Sequence, residues 1–172
     1  MLERLTAGDS GTAVPSAVPP VRAGTDPTFA DLYRDAHADM VRLAYLLTGS
    51  QEASQDVVQD AFVSVHQAWS RVREPRAYLR RAVVNNCTSH HRRVFRDRRH
   101  RPATATTVEL EADELFDVLA DLPARQRAAV VLRYWHDLDE RQIADTLGCR
   151  VGTVGSLLHR AVARLREVID HG

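Results

Sequence analysis

The chain has 172 residues, 44% of them hydrophobic, and its 23 basic side chains are balanced by 23 acidic ones. That length allows one modest core or two small ones, and a formal charge of zero excludes a uniformly basic or acidic binder. Two cysteines, Cys87 and Cys149, are too few and too far apart for a disulfide framework or a zinc site, and no apolar run reaches membrane-spanning length.

Residues 1–25 are rich in Ala, Pro, Gly, Ser and Thr and offer little to pack, so a disordered N-terminal tail is expected. They lack the apolar core of a signal peptide, which predicts a cytoplasmic protein without membrane insertion. Asp26 and Pro27 read as the cap and first-turn proline of a first helix. Its apolar stripe runs through Phe29, Leu32, Tyr33, Ala36, Met40, Leu43, Ala44 and Leu47, and Gly49 ends it. Ser50 caps a second helix striped by Ala53, Val57, Val58, Ala61, Phe62, Val65 and Trp69. The short connection predicts an antiparallel pair. The outer side of the second helix carries Gln55, Asp56, Gln59 and Asp60, which on composition alone is a solvated face.

After a loop at residues 70–74, Pro75 starts a third helix that buries Ala77, Leu79, Ala82, Val83 and Asn86 or Cys87. Its other side is basic, with Arg76, Arg80, Arg81, Arg92, Arg93 and Arg96 among Asn85, Ser89 and His90. Residues 71–101 hold eleven arginines against Glu74 and Asp97, whereas residues 26–70 hold seven acids against Arg34 and Arg42. One surface should therefore attract polyanions and another a basic partner. Tyr78 and Trp69 are candidates to stack on bases, with Trp69 assigned mainly to packing.

Residues 102–107 have linker composition. Leu115, Phe116, Leu119 and Leu122 mark a further helix, and Pro123 opens another through Ala129, Val130, Leu132 and Trp135. Asp139 then caps a short helix, Gln142 completes a capping box, and Gly148 supplies a left-handed exit. A turn at Cys149, Arg150, Val151 and Gly152 leads to a last helix that buries Val154, Leu158, Ala161, Leu165 and Val168. Thr153, Ser156, Arg160 and Arg164 face outward, an arrangement of hydroxyls and guanidinium groups that suits a DNA major groove. The expected class is all-α, two small helical domains joined by a flexible linker, the second a helix-turn-helix.

Four stretches carry a resemblance. They are residues 56–62 (DVVQDAF), residues 75–79 (PRAYL) with Asn85 and Arg92-Arg93, residues 122–127 (LPARQR), and Gly152-Thr153-Val154 with Ser156, His159-Arg160-Ala161 and Leu165-Arg166. Their order and spacing resemble the bacterial RNA polymerase sigma factors of the extracytoplasmic-function class, in the sigma-70 family. The resemblance implies a tail at 1–25, sigma region 2 at 26–96, a linker at 97–112 and sigma region 4 at 113–170. It implies that Asp56, Gln59 and Asp60 dock on the β′ coiled coil of core RNA polymerase, with further contacts to the β subunit. Arg71, Arg73, Arg76, Arg80, Arg81, Asn85, Arg92 and Arg93 would serve the minus-ten element. Arg150, Thr153, Ser156, Leu157, Arg160 and Arg164 would serve the minus-thirty-five element. Promoter DNA is then a partner, an anti-sigma factor a further one, and neither catalysis nor a cofactor nor a metal is implied.

The sequence departs from the family in having Gly155-Ser156-Leu157 where Lys-Ser-Arg is usual, Arg150 in place of a capping Ser, and Ser89 in place of Asp. Two other readings compete. A stand-alone helix-turn-helix regulator explains the last third but gives no reason for the basic third helix. A metal enzyme built on His90, His91 and His100 is disfavoured because adjacent helical residues point about 100° apart.

Overall fold

The computed structural model describes residues 28–98 and 114–171, with side chains over 28–93 and 117–167. The expected tail and most of the expected linker lie outside these residues. The described part is helical throughout, in the order α1 (Phe29–Thr48), α2 (Gln51–Ala68), α3 (Pro75–Arg98), α4 (Glu114–Ala120), α5 (Ala124–Tyr134), α6 (Glu140–Leu147) and α7 (Val151–His171).

Helix starts follow the capping chemistry. Thr28, rather than Asp26, caps α1: its hydroxyl accepts from the Asp31 amide, and the Asp31 carboxylate accepts from the Thr28 amide at 3.0 Å. The Thr28 hydroxyl also donates to the Asp31 carboxylate at 2.6 Å, and this bond first, then Arg34 and the Thr28 amide, lowers the Asp31 carboxyl pKa to about 2. Ser50 caps α2 by accepting from the Ala53 amide, and Asp139 and Gln142 close a capping box at α6. Gly49 and Gly148 end α1 and α6 at φ 71° and 60°, where a side chain would be strained.

The first three helices form a bundle in which each packs on the other two. Its core is Ala36, Met40, Leu43, Leu46, Val58, Val65, Leu79, Val83 and Cys87, all buried. Asn86 donates to the Val57 carbonyl at 3.1 Å and straps α3 to α2. Two expectations fail at the edges of these stripes. Tyr33 is 46% exposed because it lies on the rim between α1 and α2, and Leu46 takes a core position instead. Ala77 is exposed while Val84 is buried, a rotation of the α3 stripe by about one residue position.

Helices α5, α6 and α7 pack together around Leu132, Ile143, Val154 and Ala161. Helix α7 begins at Val151, so Val151 and Gly152 belong to its first turn and not to the preceding turn. Trp135 is not a core residue: it caps the end of α5, 46% exposed, with the Arg42 guanidinium 4.8 Å above its ring. The two bundles are in contact, α1 against α5 and α3 against α6, where the sequence suggested only a tether.

Gly155 lies inside α7, and a Cβ there would meet nothing closer than the Glu140 carboxylate at 3.9 Å. A helical glycine with room for a methyl group costs backbone entropy for no packing gain. Gly155→Ala is expected to raise stability by about 0.5–1 kcal/mol, read as a higher urea midpoint at unchanged slope. A lower midpoint would mean that α7 needs the glycine for its approach to α6.

Candidate nucleic-acid and partner interfaces

Three exposed faces carry the residues selected from sequence. The first is on α2, where burial of Val57, Val58, Ala61 and Phe62 turns Asp56, Gln59 and Asp60 to solvent. Beside Gln59 lies an open hollow of about 650 Å³ that also touches Tyr33, His37, Phe62 and Val63. Its floor is aromatic, with the Tyr33 and Phe62 ring centres 4.8 Å apart. This aromatic floor, edged by Gln55, Gln59, His37 and His66, was missed in the sequence because Tyr33 falls on the same helical stripe as the α1 core.

The second face is basic. Arg71 and Arg73 stand in the turn before α3, and Arg76, Arg81, Asn85, Arg92 and Arg93 are exposed along it. Arg76 pairs with Asp39 of α1 at 2.9 Å, and since both groups are more than half exposed the pair is easily exchanged for another anion. Arg80 is half-buried, and its Nε is enclosed without a hydrogen-bond partner among the described residues. Burial, then the like charge of Arg76, lowers its pKa. Arg71, Arg73, Arg80 and Arg81 line one cleft of about 770 Å³ together with Tyr78, and Gln142, Asp145 and Thr146 of α6 form its other wall.

Tyr78 is 41% exposed and lines this cleft. Trp69 is half-buried and makes an edge contact with Phe29 at 5.6 Å, in keeping with a packing role. His90 is held below the ordinary imidazole pKa by burial and by Arg93 and His91, with Asp56 acting in the opposite sense. Among the described residues no group of three His, Cys, Asp or Glu side chains could hold a metal ion.

The third face is on α7. Arg150, Thr153, Ser156, Arg160 and Arg164 are all exposed, at the three- and four-residue spacing of one helix side. The Ser156 hydroxyl donates to the Gly152 carbonyl at 3.2 Å, which leaves its oxygen free to accept. Leu157 corrects the expectation: it is 9% exposed and belongs to the core with Val154 and Ala161, while Leu158 is half-buried. The buried stripe of α7 is centred one position away from the one read in sequence, so Leu157 packs inward and is not on the outward face.

These features define a class: an all-helical protein of two bundles, one bearing an arginine-rich helix and the other a helix-turn-helix. Residues 32–99 match sigma-70 region 2, and residues 112–165 match sigma-70 region 4. The chain is similar to the RNA polymerase sigma-E factor of Streptomyces avermitilis, at 34% identity over 83% of this chain and 85% of the relative. It is also similar to the ECF RNA polymerase sigma factor SigM of Mycobacterium tuberculosis, at 35% identity over 87% and 81% of the two chains. Among solved structures, the sigma factor RpoE from Bartonella quintana, in complex with the anti-sigma factor NepR, shares the fold. Its TM-score is 0.69 at 21% identity, over 83% of this chain and 96% of that one. CnrH, solved with the cytosolic domain of CnrY, gives a TM-score of 0.65 at 25% identity, over 83% and 88%.

The chain belongs to the ECF sigma factors of the sigma-70 family and directs transcription initiation. Such proteins are initiation factors rather than enzymes. The stand-alone regulator is not favoured, because the match spans both bundles and not only the helix-turn-helix.

Proposed function

We propose that the three exposed faces divide the work of a sigma subunit, as the separation of their charge supports. Asp56, Gln59 and Asp60 on α2, with the neighbouring aromatic hollow, dock on the β′ coiled coil of core RNA polymerase. Exposed acids on the same helix as an apolar hollow suit a basic amphipathic helix, with charge-assisted pairs to Asp56 and Asp60 and apolar burial beside Gln59. Arg71, Arg73, Arg76, Arg80, Arg81, Arg92 and Arg93, with Asn85, engage the minus-ten element, and Tyr78 stacks on an unpaired base. Arg150, Thr153, Ser156, Arg160 and Arg164 read the minus-thirty-five element on promoter DNA, while region 4 also contacts the β subunit. Region 2 spans about 26–96 and region 4 about 113–170, with 97–112 between them.

Neither DNA face need bind tightly alone, because polymerase fixes their separation and makes the second contact intramolecular. The chain works in the cytoplasm, without catalysis or a cofactor. No described helix is long and apolar enough to cross a membrane. The anti-sigma complex of the RpoE structure supports an inhibitor of the same kind as a further partner.

The test is holoenzyme binding to a promoter across a salt series. Arg92→Ala is expected to weaken binding and to reduce the slope of log affinity against log salt by about one unit, as loss of one phosphate contact requires. Arg160→Ala should do the same from the region 4 side. Unchanged slopes in both variants would remove these arginines from the DNA interface.

A further inference from the structure

We propose that the seam between region 2 and region 4 is an autoinhibitory latch that protonation of His136 releases. Its gating of DNA rests on the reading of Arg80 and its neighbours as a promoter surface; its opening and closing do not.

The seam is built from specific contacts. The Leu47 carbonyl, one of the last of α1, accepts from His91 Nε2 of α3 at 2.6 Å and from Arg127 Nη1 of α5 at 3.1 Å. The other terminal nitrogen of Arg127 donates to the Ala120 and Leu122 carbonyls at 2.8 and 3.3 Å. One guanidinium thus joins α1 of region 2 to the end of α4 and the turn after it in region 4. Nearby, Arg42 of α1 covers Trp135. The consequence for function lies at α3, where α6 walls the arginine cleft. Gln142, Asp145 and Thr146 stand opposite Arg73, Arg80 and Arg81, so α6 occupies one side of the cleft and sets a carboxylate against the arginines, and a strand laid along α3 would compete with α6 while the seam is closed.

His136 sits in the turn after α5, half-buried at this seam, and its Nε2 is enclosed without a hydrogen-bond partner among the described residues. It is faced by Asp39 from α1 and by Arg76 and Arg80 from α3. Asp39 is the only acid of the three, and its carboxylate already accepts from Arg76 at 2.9 Å. Within its own turn, Arg133 is committed to the Leu138 carbonyl at 3.0 Å, and Asp137 is exposed. A second ring proton would place an enclosed, unpaired N–H next to two guanidinium groups, whereas a bare lone pair there is cheaper to hide.

Burial first, then Arg80, lowers the pKa of His136, with Asp39 opposing and Arg76 adding to the depression. The open form therefore binds the proton better. Closure is fully favoured above the ordinary histidine value of about 6.5, and is lost as pH falls from there toward the lower closed-state value.

The test uses the full chain with dyes on Gln67→Cys in α2 and Ala163→Cys in α7, both exposed positions, in a Cys149→Ser background. Cys87 is buried and stays. Energy transfer should be high at about pH 8, and the closed-to-open ratio should fall by up to tenfold per pH unit below about 6.5. His136→Gln should remain closed and lose this response, with helix content unchanged by circular dichroism; His91→Gln should keep it.

Single-stranded DNA binding, read by anisotropy on the same samples, should strengthen on acidification in the parent and not in His136→Gln. A parent that stays closed at low pH, one already open at about pH 8, or a His136→Gln variant with the parental response would each overturn the latch. Should His136→Gln fail to fold, His136→Asn takes its place under the same criteria. Opening without a gain in DNA affinity would overturn the gating alone, and the salt slopes of Arg92→Ala would then show whether the arginine surface binds DNA at all.

Discussion

Arg127→Ala is expected to destabilise the protein by about 3–5 kcal/mol, a large share of the roughly 5–15 kcal/mol that holds a domain together. The last carbonyls of a helix have no partner within it, and the negative end of the helix dipole favours a cation there. Arg127 serves two such places at once, since Leu47 lies at the end of α1 and Ala120 closes α4. Only 7% exposed, its head works where water cannot replace it, and burial lowers the guanidinium pKa without discharging it. Truncation takes the guanidinium donor from the Ala120 and Leu122 carbonyls in a poorly hydrated place and leaves the Leu47 carbonyl with its bond from His91 alone. Arg127→Met keeps the apolar stem and should lose nearly as much; Arg127→Lys should recover a part, because an ammonium cannot fork toward both helix ends. Urea denaturation of the three variants decides the matter, and a methionine variant as stable as the parent would show that the stem, not the head, carries the effect.

The second large effect is on polymerase capture. Asp56→Arg reverses a charge at the exposed α2 face and should weaken association with core polymerase by about thirtyfold or more, the scale of a hot-spot residue. Like-charge contact with a basic partner would appear mainly in the association rate and its salt dependence. One internal cause must be separated from this. Asp56 acts on His90, which Arg93 already disfavours as a cation, so an arginine at 56 also crowds that cluster. Asp56→Asn removes the charge without adding another and should give an intermediate loss at parental thermal stability. Equal competition for core by parent and Asp56→Arg would refute the docking assignment.

Most of the fold was legible because its signals are local. Ser50, Asp139, Gly49 and Gly148 act within one helical turn, and the stripes of α1 and α2 repeat at helical spacing. The errors share a cause. Leu157 and Leu158, like Val83 and Val84, are adjacent apolar residues, and helical period alone cannot say which is central until the partner helix is placed. The seam was beyond reach for another reason. Arg127 and Leu47 are eighty residues apart, and the acceptor is a backbone carbonyl, which every residue has. Arg127 did stand inside a family stretch, but nothing in its type distinguishes a buried fork from a surface charge. The outward residues of α3 and α7 were easier, since an arginine at a stripe's far side has no other place to go.

Cys87 has a consequence for oxidative stress. Burial among the first three helices raises its thiol pKa to about 12. At neutral pH the nucleophilic thiolate is therefore scarce, and peroxide reacts with that form. The central cysteine of region 2 is therefore protected from conversion to sulfenic acid for as long as the bundle stays packed. Damage by oxidants must begin at other side chains, or wait until the three helices come apart.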